Sequence, residues 1–397
     1  MIKINIKYNF DNTIDRRNTY SRKWDPEILK EMFGRDDLLP LWVADMEFRV
    51  AKPIEDAIIN RANHPIYGYS KRPESYYDAI VEWINKRFDY KIEKEWIMYT
   101  PGVVPAINYI IQAFTDEKDS IMIQEPVYYP FRRSIENNNR NVVNSPLEFD
   151  GEKYNINFKD IEEKIQSENV KIFILCSPHN PIGRVWTKAE LEKLGNICLE
   201  NNVLIMADEI HNDLVYEGHT HTMISSINKD FEMNSITCTA PSKTFNLAGM
   251  EASNIIIPNS EFREKFQQIL DLNNIGFQNP LSIAAVESAY REGEDWLEQL
   301  LKYLQGNIEF IEEYLNKNLP KAKFIKPQAT YLAWIDLRKY EGNGEILENK
   351  IINKGKIALN GGTWFGKDGE GFMRLNFACS RSMLEEGLKR LSKAINE

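Results

Sequence analysis

Ala240-Pro241-Ser242-Lys243-Thr244-Phe245-Asn246-Leu247-Ala248-Gly249 sets one lysine between an apolar run, Ser235 to Thr239, and a glycine-containing turn. A lysine amine forms a Schiff base with an aldehyde where its surroundings lower its pKa. The pattern of apolar run into polar turn recurs upstream: Ala207-Asp208-Glu209 ends one run, and Asn180-Pro181-Ile182-Gly183 follows another. Apolar runs at 96–100, 120–124, 142–145, 170–177, 203–207, 235–240 and 254–258 read as strands. Several are nearly continuous, as strands covered on both faces are. Helical patterns at 104–114, 129–137, 188–201 and 259–269 lie between them. The expected fold is α/β, a mostly parallel sheet sandwiched by helices. Ligands of such sheets sit at the carboxyl ends of the strands, which is where the lysine, aspartate and asparagine fall.

Beyond about residue 285 the pattern changes. A helical stretch, 281–319, is followed by strand-like runs at 331–337 and 372–377 and an amphipathic helix at 382–395. This reads as a smaller α+β domain built from both ends of the chain. The expected division is an N-terminal segment, 1–45, packing with the small domain; a large cofactor-binding domain, 46–285; and a small C-terminal domain, 286–397. No internal repeat or low-complexity linker interrupts it.

The 397 residues, 43% hydrophobic and 27% charged, describe an ordinary globular protein with a large core. A net charge of −10 argues against nucleic acid or an anionic membrane as the main partner. Cys176, Cys198, Cys238 and Cys379 form no short-spaced pair and read as buried reduced thiols. Met1-Ile2-Lys3-Ile4-Asn5 has no signal-peptide character, and no window approaches a membrane span. A cytoplasmic enzyme is expected.

Each candidate residue has a plain reading beside its chemical one. Lys243 alone is a solvated lysine before a turn. Asp208 is a helix cap or metal ligand, or the carboxylate that keeps a pyridine nitrogen protonated and the ring an electron sink. Asn180, between Pro178 and Pro181, forms an Asx turn or donates to a phenolate oxygen. Lysine, aspartate and asparagine at strand ends are together what a pyridoxal phosphate (PLP) site needs. Gly102, Val103 and Val104 lie between a strand and a helix, where backbone N–H groups bind a phosphate. Tyr128 stacks on the cofactor ring or packs in the core. Arg374 lies inside an apolar strand, an expensive place unless it is paired. Its partner is either a substrate carboxylate or an internal Asp or Glu.

These residues, in this order and spacing, resemble fold-type I PLP enzymes of the aminotransferase class I/II superfamily over essentially the whole chain. Finer segments resemble the MalY/PatB-type carbon–sulfur lyases, the cystathionine β-lyase branch. They are Leu41-Trp42-Val43-Ala44-Asp45-Met46-Glu47-Phe48, Tyr67-Gly68-Tyr69-Ser70, Asp208-Glu209-Ile210-His211 and Pro241-Ser242-Lys243-Thr244-Phe245-Asn246. The resemblance implies that Tyr69 reaches the phosphate of a neighbouring subunit's cofactor, which makes a homodimer necessary. It also implies that Ala44 lies beside the substrate. The chain departs from many aminotransferases in three places. His211 stands where they carry Tyr, Ala240 where they carry Ser, and Glu251 where they carry a phosphate-binding Arg. Phosphate binding then falls to other donors, Ser242 among them. His211 either tunes the cofactor or is a hydrogen-bonded structural histidine. His219 and His221 read as surface residues.

The reaction the resemblance implies is β-elimination from L-cystathionine or another S-substituted L-cysteine. The products are a thiol, pyruvate and ammonia. The alternative is an aminotransferase, which shares the early steps. A second carboxylate-binding arginine would favour it; Arg72, Arg132 and Arg133 are candidates, though each reads more simply as a solvated side chain. A PLP-dependent regulator is a third reading. The acidic composition argues against one that binds DNA.

Overall fold

The computed structural model describes residues 6–397. The pentapeptide read for signal character therefore lies outside the described residues, as do the first five residues of the expected 1–45 segment. All seven expected strands form, within a residue or two of their sequence limits, and they make one sheet. They are β1 (Ile97–Thr100), β2 (Ser120–Ile123), β3 (Asn141–Asn144), β4 (Val170–Cys176), β5 (Leu204–Asp208), β6 (Ser235–Thr239) and β7 (Ser253–Ile256). Their order across the sheet is β1-β7-β6-β5-β4-β2-β3. Only β7 runs antiparallel to its neighbours, so β1 points the same way as the rest.

The alternation of side chains along β4 explains the continuous apolar run. Ile172, Ile174 and Cys176 face one core, with Ile107 and Ile111 of the helix Val103–Phe114 and Phe266 of the helix Ser260–Leu272. Phe173 and Leu175 face the other, with Leu191 and Leu194 of the helix Lys188–Glu200. Both faces are covered, so both sets must be apolar.

The expected helical stretch at 281–319 forms as two helices, Pro280–Glu292 and Glu294–Asn318. They meet at Gly293, where a Cβ would come within 2.5 Å of both Ala289 O and the Phe245 ring. The expected strands at 331–337 and 372–377 form as β9 (Leu332–Asp336) and β11 (Phe372–Asn376). With β8 (Lys323–Ile325) and β10 (Asn360–Gly361) they make an antiparallel sheet in the order β8-β9-β11-β10. Leu39–Pro40 pairs with Ile357–Ala358, which ties the early chain to the C-terminal region. All four cysteines are buried and free. Among the described residues, no helix is long and apolar enough to cross a membrane.

Candidate active site

Adjacent strands of the large sheet end in register: Cys176 lies opposite Asp208, and Asp208 opposite Cys238. The turns that follow therefore open onto one cavity of about 190 Å³. Lys243, Asp208, Asn180, Tyr128, Gly102, Val103, Val104, His211, Ser242 and Ala44 all line it, whereas Arg374 and Tyr69 do not.

Asp208 projects from the end of β5 and is buried. Its Oδ1 accepts from Ile210 N at 3.2 Å. Burial raises the carboxyl to about 7, against the opposing charge of Lys243. Among the described residues no basic side chain bonds to it, so the site holds an acceptor in want of a cation.

Lys243 lies in a single helical turn, Pro241–Thr244, entered from β6 through Ala240. Its Nζ donates to Ala44 O at 2.7 Å. Burial lowers the amine from 10.5 to about 8, and Arg374 acts in the same direction; Asp45 and Asp208 oppose them. The side chain stays reachable through the cavity it lines. The bland reading, a solvated lysine, does not fit this position.

Asn180 follows β4 in a turn with cis bonds before Pro178 and Pro181. Its Oδ1 accepts from Arg374 Nη1 at 3.0 Å. The amide nitrogen is then the atom left to donate into the cavity.

Gly102 precedes the helix Val103–Phe114 at φ +152°, a conformation that needs glycine. Among the described residues no side chain caps this helix, whereas Thr187 caps Lys188–Glu200 and Asn259 caps Ser260–Leu272. The first N–H groups, at Val103 and Val104, remain available to an anion at the cavity wall. Ser242 adds a hydroxyl to the lining, and Tyr128 an aromatic face. Glu251, in place of the expected arginine, lines the cavity at φ +49°.

His211 is buried, and its Nδ1 has no hydrogen-bond partner among the described residues. Burial holds it down to about 3, with Lys243 and Arg374 adding to the effect. It is a neutral ring facing the cavity rather than a hydrogen-bonded structural histidine.

Arg374 sits in β11 between Trp334 and Asn360 of the neighbouring strands. It is 3% exposed. Its partners are Asn180, Asn360 and the Trp42 carbonyl, with N–O distances from 2.7 to 3.2 Å. None is a carboxylate, so the internal salt bridge weighed from sequence is not what the fold builds. Burial instead lowers the guanidinium to about 10. Arg374 does not itself line the cavity; it reaches it through Asn180.

Sequence reasoning missed how the segment Leu41 to Phe48 contributes. It works through its main chain. Trp42 O holds Arg374, while Ala44 O takes both Lys243 and the hydroxyl of Tyr331. Asn376 Nδ2 donates to Val43 O and Asp45 O at 2.6 Å each. Asn246 accepts from Met46 N and donates to Met46 O and Phe48 O. The acidic side chains are paired, Asp45 and Glu47 each with Arg16 and Lys23.

Two other readings need revision or placing. His219 is exposed as expected, but His221 is buried. Its Nε2 lies 2.9 Å from Oε2 of the fully buried Glu209, which needs a partner there. Tyr69 is 94% exposed, outside the cavity, with its ring packed on Phe277. Arg72, Arg132 and Arg133 are all absent from the cavity lining.

A cation-seeking carboxylate, a depressed lysine and an uncapped helix start are the donor set that a phosphorylated pyridine aldehyde requires. The sequence agrees. Residues 45–391 match the family described as aminotransferase class I and II. The chain belongs to that family. It is 44% identical to cystathionine beta-lyase PatB of Bacillus subtilis, over 98% of this chain and 100% of the relative. A PLP-bound putative aminotransferase from Clostridium difficile superposes with a TM-score of 0.96 at 48% identity, over 98% of this chain and 100% of that one. A PLP-bound C-S lyase from Staphylococcus hominis superposes at 0.92 with 34% identity, over 99% of both. The family and branch expected from the residues are therefore borne out, as is the sheet architecture.

Proposed function

We propose that the protein is a PLP-dependent carbon–sulfur β-lyase that cleaves L-cystathionine or related S-substituted L-cysteines to a thiol, pyruvate and ammonia. The observation that carries this is the meeting of Asp208, Lys243 and Asn180 in one cavity, in a chain that matches PatB over its full length.

PLP, when bound, supplies an aldehyde for amines and a ring that draws electrons from the Cα of a bound amino acid. Asp208 holds positive charge at the ring nitrogen, and that pairing relieves the strain of its own burial. Asn180 donates to the ring oxygen, and Tyr128 covers the ring face. The N–H groups of Val103 and Val104, with Ser242, hold the phosphate. Arg374 takes the substrate carboxylate on Nη1, whose second N–H is uncommitted, with the Trp42 carbonyl giving way to a second contact. Lys243, with an amine near 8, takes the proton from Cα on Nζ. Loss of the sulfur from Cβ and hydrolysis of the released enamine then yield the products.

We place the protein in the cytoplasm as a homodimer. Four free buried thiols suit a reducing compartment. Ile66, Tyr67, Tyr69 and Phe277, all strongly exposed, form an apolar face suited to a second copy. On that face Tyr69 extends to the partner's phosphate. We likewise assign residues 46–285 to the large domain and 1–45 with 286–397 to the small one.

An aminotransferase is the rival, favoured by the name of the Clostridium difficile neighbour. It shares proton removal by Lys243 but retains the Cβ–sulfur bond. Mass-spectrometric identification of products from L-cystathionine separates the two. Homocysteine, pyruvate and ammonia in equal amounts support the lyase; an intact carbon–sulfur bond in an oxo-acid product rejects it.

A further inference from the structure

Tyr331 takes no part in those steps, yet it is fully buried and donates from its hydroxyl to Ala44 O at 2.9 Å. Lys243 uses the same oxygen. The residue before it, Thr330, has φ +72°, a rare conformation for a β-branched side chain. Three hydrogen bonds hold Thr330 there. Its N–H donates to Leu214 O, its carbonyl accepts from Tyr216, and its Oγ1 accepts from Leu332 N. Backbone strain fixed on several sides persists where it serves a site. Here it delivers the Tyr331 hydroxyl to the Ala44 carbonyl.

That carbonyl is itself immobilised, because its neighbours Val43 O and Asp45 O are both tied to Asn376. Two donors then crowd one fixed oxygen with their positive ends together. The repulsion is greater for a lysine ammonium than for a neutral amine. The charged groups facing Lys243 from other elements are Asp45 and Asp208, which favour the ammonium, and Arg374, which opposes it. His211 stays neutral and adds no charge.

We propose that Tyr331 is a positioning residue for Lys243: it fixes the Ala44 carbonyl and, by sharing that oxygen, biases the lysine toward its free base. The proposal rests on the reading in which Lys243 removes the Cα proton. The test begins with the full-length protein freed of cofactor. The Lys243 titration is read by competitive acylation with a small amine reagent, followed by mass spectrometry of its peptide. Tyr331→Phe is expected to raise that pKa by about one unit, the scale of one hydrogen bond to a charged group. Difluorinated tyrosine at the same position, a stronger donor of nearly the same shape, is expected to lower it. An unchanged titration in either protein, or shifts of the same sign in both, overturns the proposal. Should Tyr331→Phe fail to fold, the fluorinated protein decides alone.

In the PLP-loaded enzyme, Tyr331→Phe is expected to move the acidic limb of Cα-hydrogen exchange upward with KM unchanged; an unmoved limb counts against the proposal. Lyases and aminotransferases both perform that exchange. Failure of the wild-type protein to release pyruvate would therefore reject the lyase reading and leave the lysine titration to judge Tyr331.

Discussion

The two halves of the site are built in opposite ways. At the ends of β4, β5 and β6, side chains carry the chemistry: Asn180, Asp208 and Lys243 all reach into the cavity. In the segment Leu41 to Phe48, the backbone does the holding while its acidic side chains turn to Arg16 and Lys23. A sheet can present any side chain at a strand end, so that half is set by residue type. The other half is set by conformation, and its identity lies in what immobilises it, above all Asn246 and Asn376. Substitutions in the first half should therefore remove chemistry and leave the fold. Substitutions that loosen the second should cost binding and stability together.

The largest effect is expected at Lys243. Lys243→Ala should lower turnover at least about 10³-fold, the upper range for a general base that is also a nucleophile. The fold should persist, since the residue lines a cavity; loss of the folded state instead would erase the contrast between the halves.

Asp208→Asn comes next, with turnover down about 10²-fold. Its stability effect has a definite sign. The folded carboxyl titrates near 7 rather than 3.8, so the cofactor-free fold binds this proton more tightly than the unfolded chain does. The group's contribution is then most favourable below about pH 4 and is lost as pH rises through 7. Asp208→Asn should raise the Tm of the cofactor-free protein above pH 7 and change it little at pH 4. A lowered Tm above pH 7 would contradict the picture of an unpaired carboxylate.

Asn376→Ala sharpens the comparison from the other side. Releasing two partly buried carbonyls should destabilise the protein by about 1–3 kcal/mol and reduce kcat/KM about tenfold, checked by denaturant unfolding and steady-state kinetics. Normal stability with reduced kcat would mean that the segment is held by something else. The smallest effect is expected at Arg16, whose partners also have Lys23. Arg16→Ala should cost about 1 kcal/mol or less in stability, with turnover within twofold.

The first half was legible in the sequence because its physics is local. Strands covered on both faces must be apolar throughout, and a polar residue closing such a run is conspicuous, as at Asp208. Arg374 stood out for the same reason. The remainder depends on contacts distant in sequence. Asn376 meets Val43 across more than three hundred residues, and nothing near either residue marks the pairing. Tyr331 begins the apolar run 331–337 and so resembles packing; the left-handed Thr330 before it leaves no mark in composition. His221 was misplaced because its partner, Glu209, is brought to it by the turn after β5. The helical stretch 281–319 divides at Gly293, where a Cβ would meet Phe245, a neighbour in space only.

The most direct test of the account counts turnovers. The PLP-loaded protein is given L-cystathionine with no oxo acid present, and pyruvate is measured per active site. The lyase built on Lys243 and Asp208 should release pyruvate for many turnovers at a steady rate. A reaction that stalls after a single turnover per site, with no thiol released, would contradict it and identify an aminotransferase.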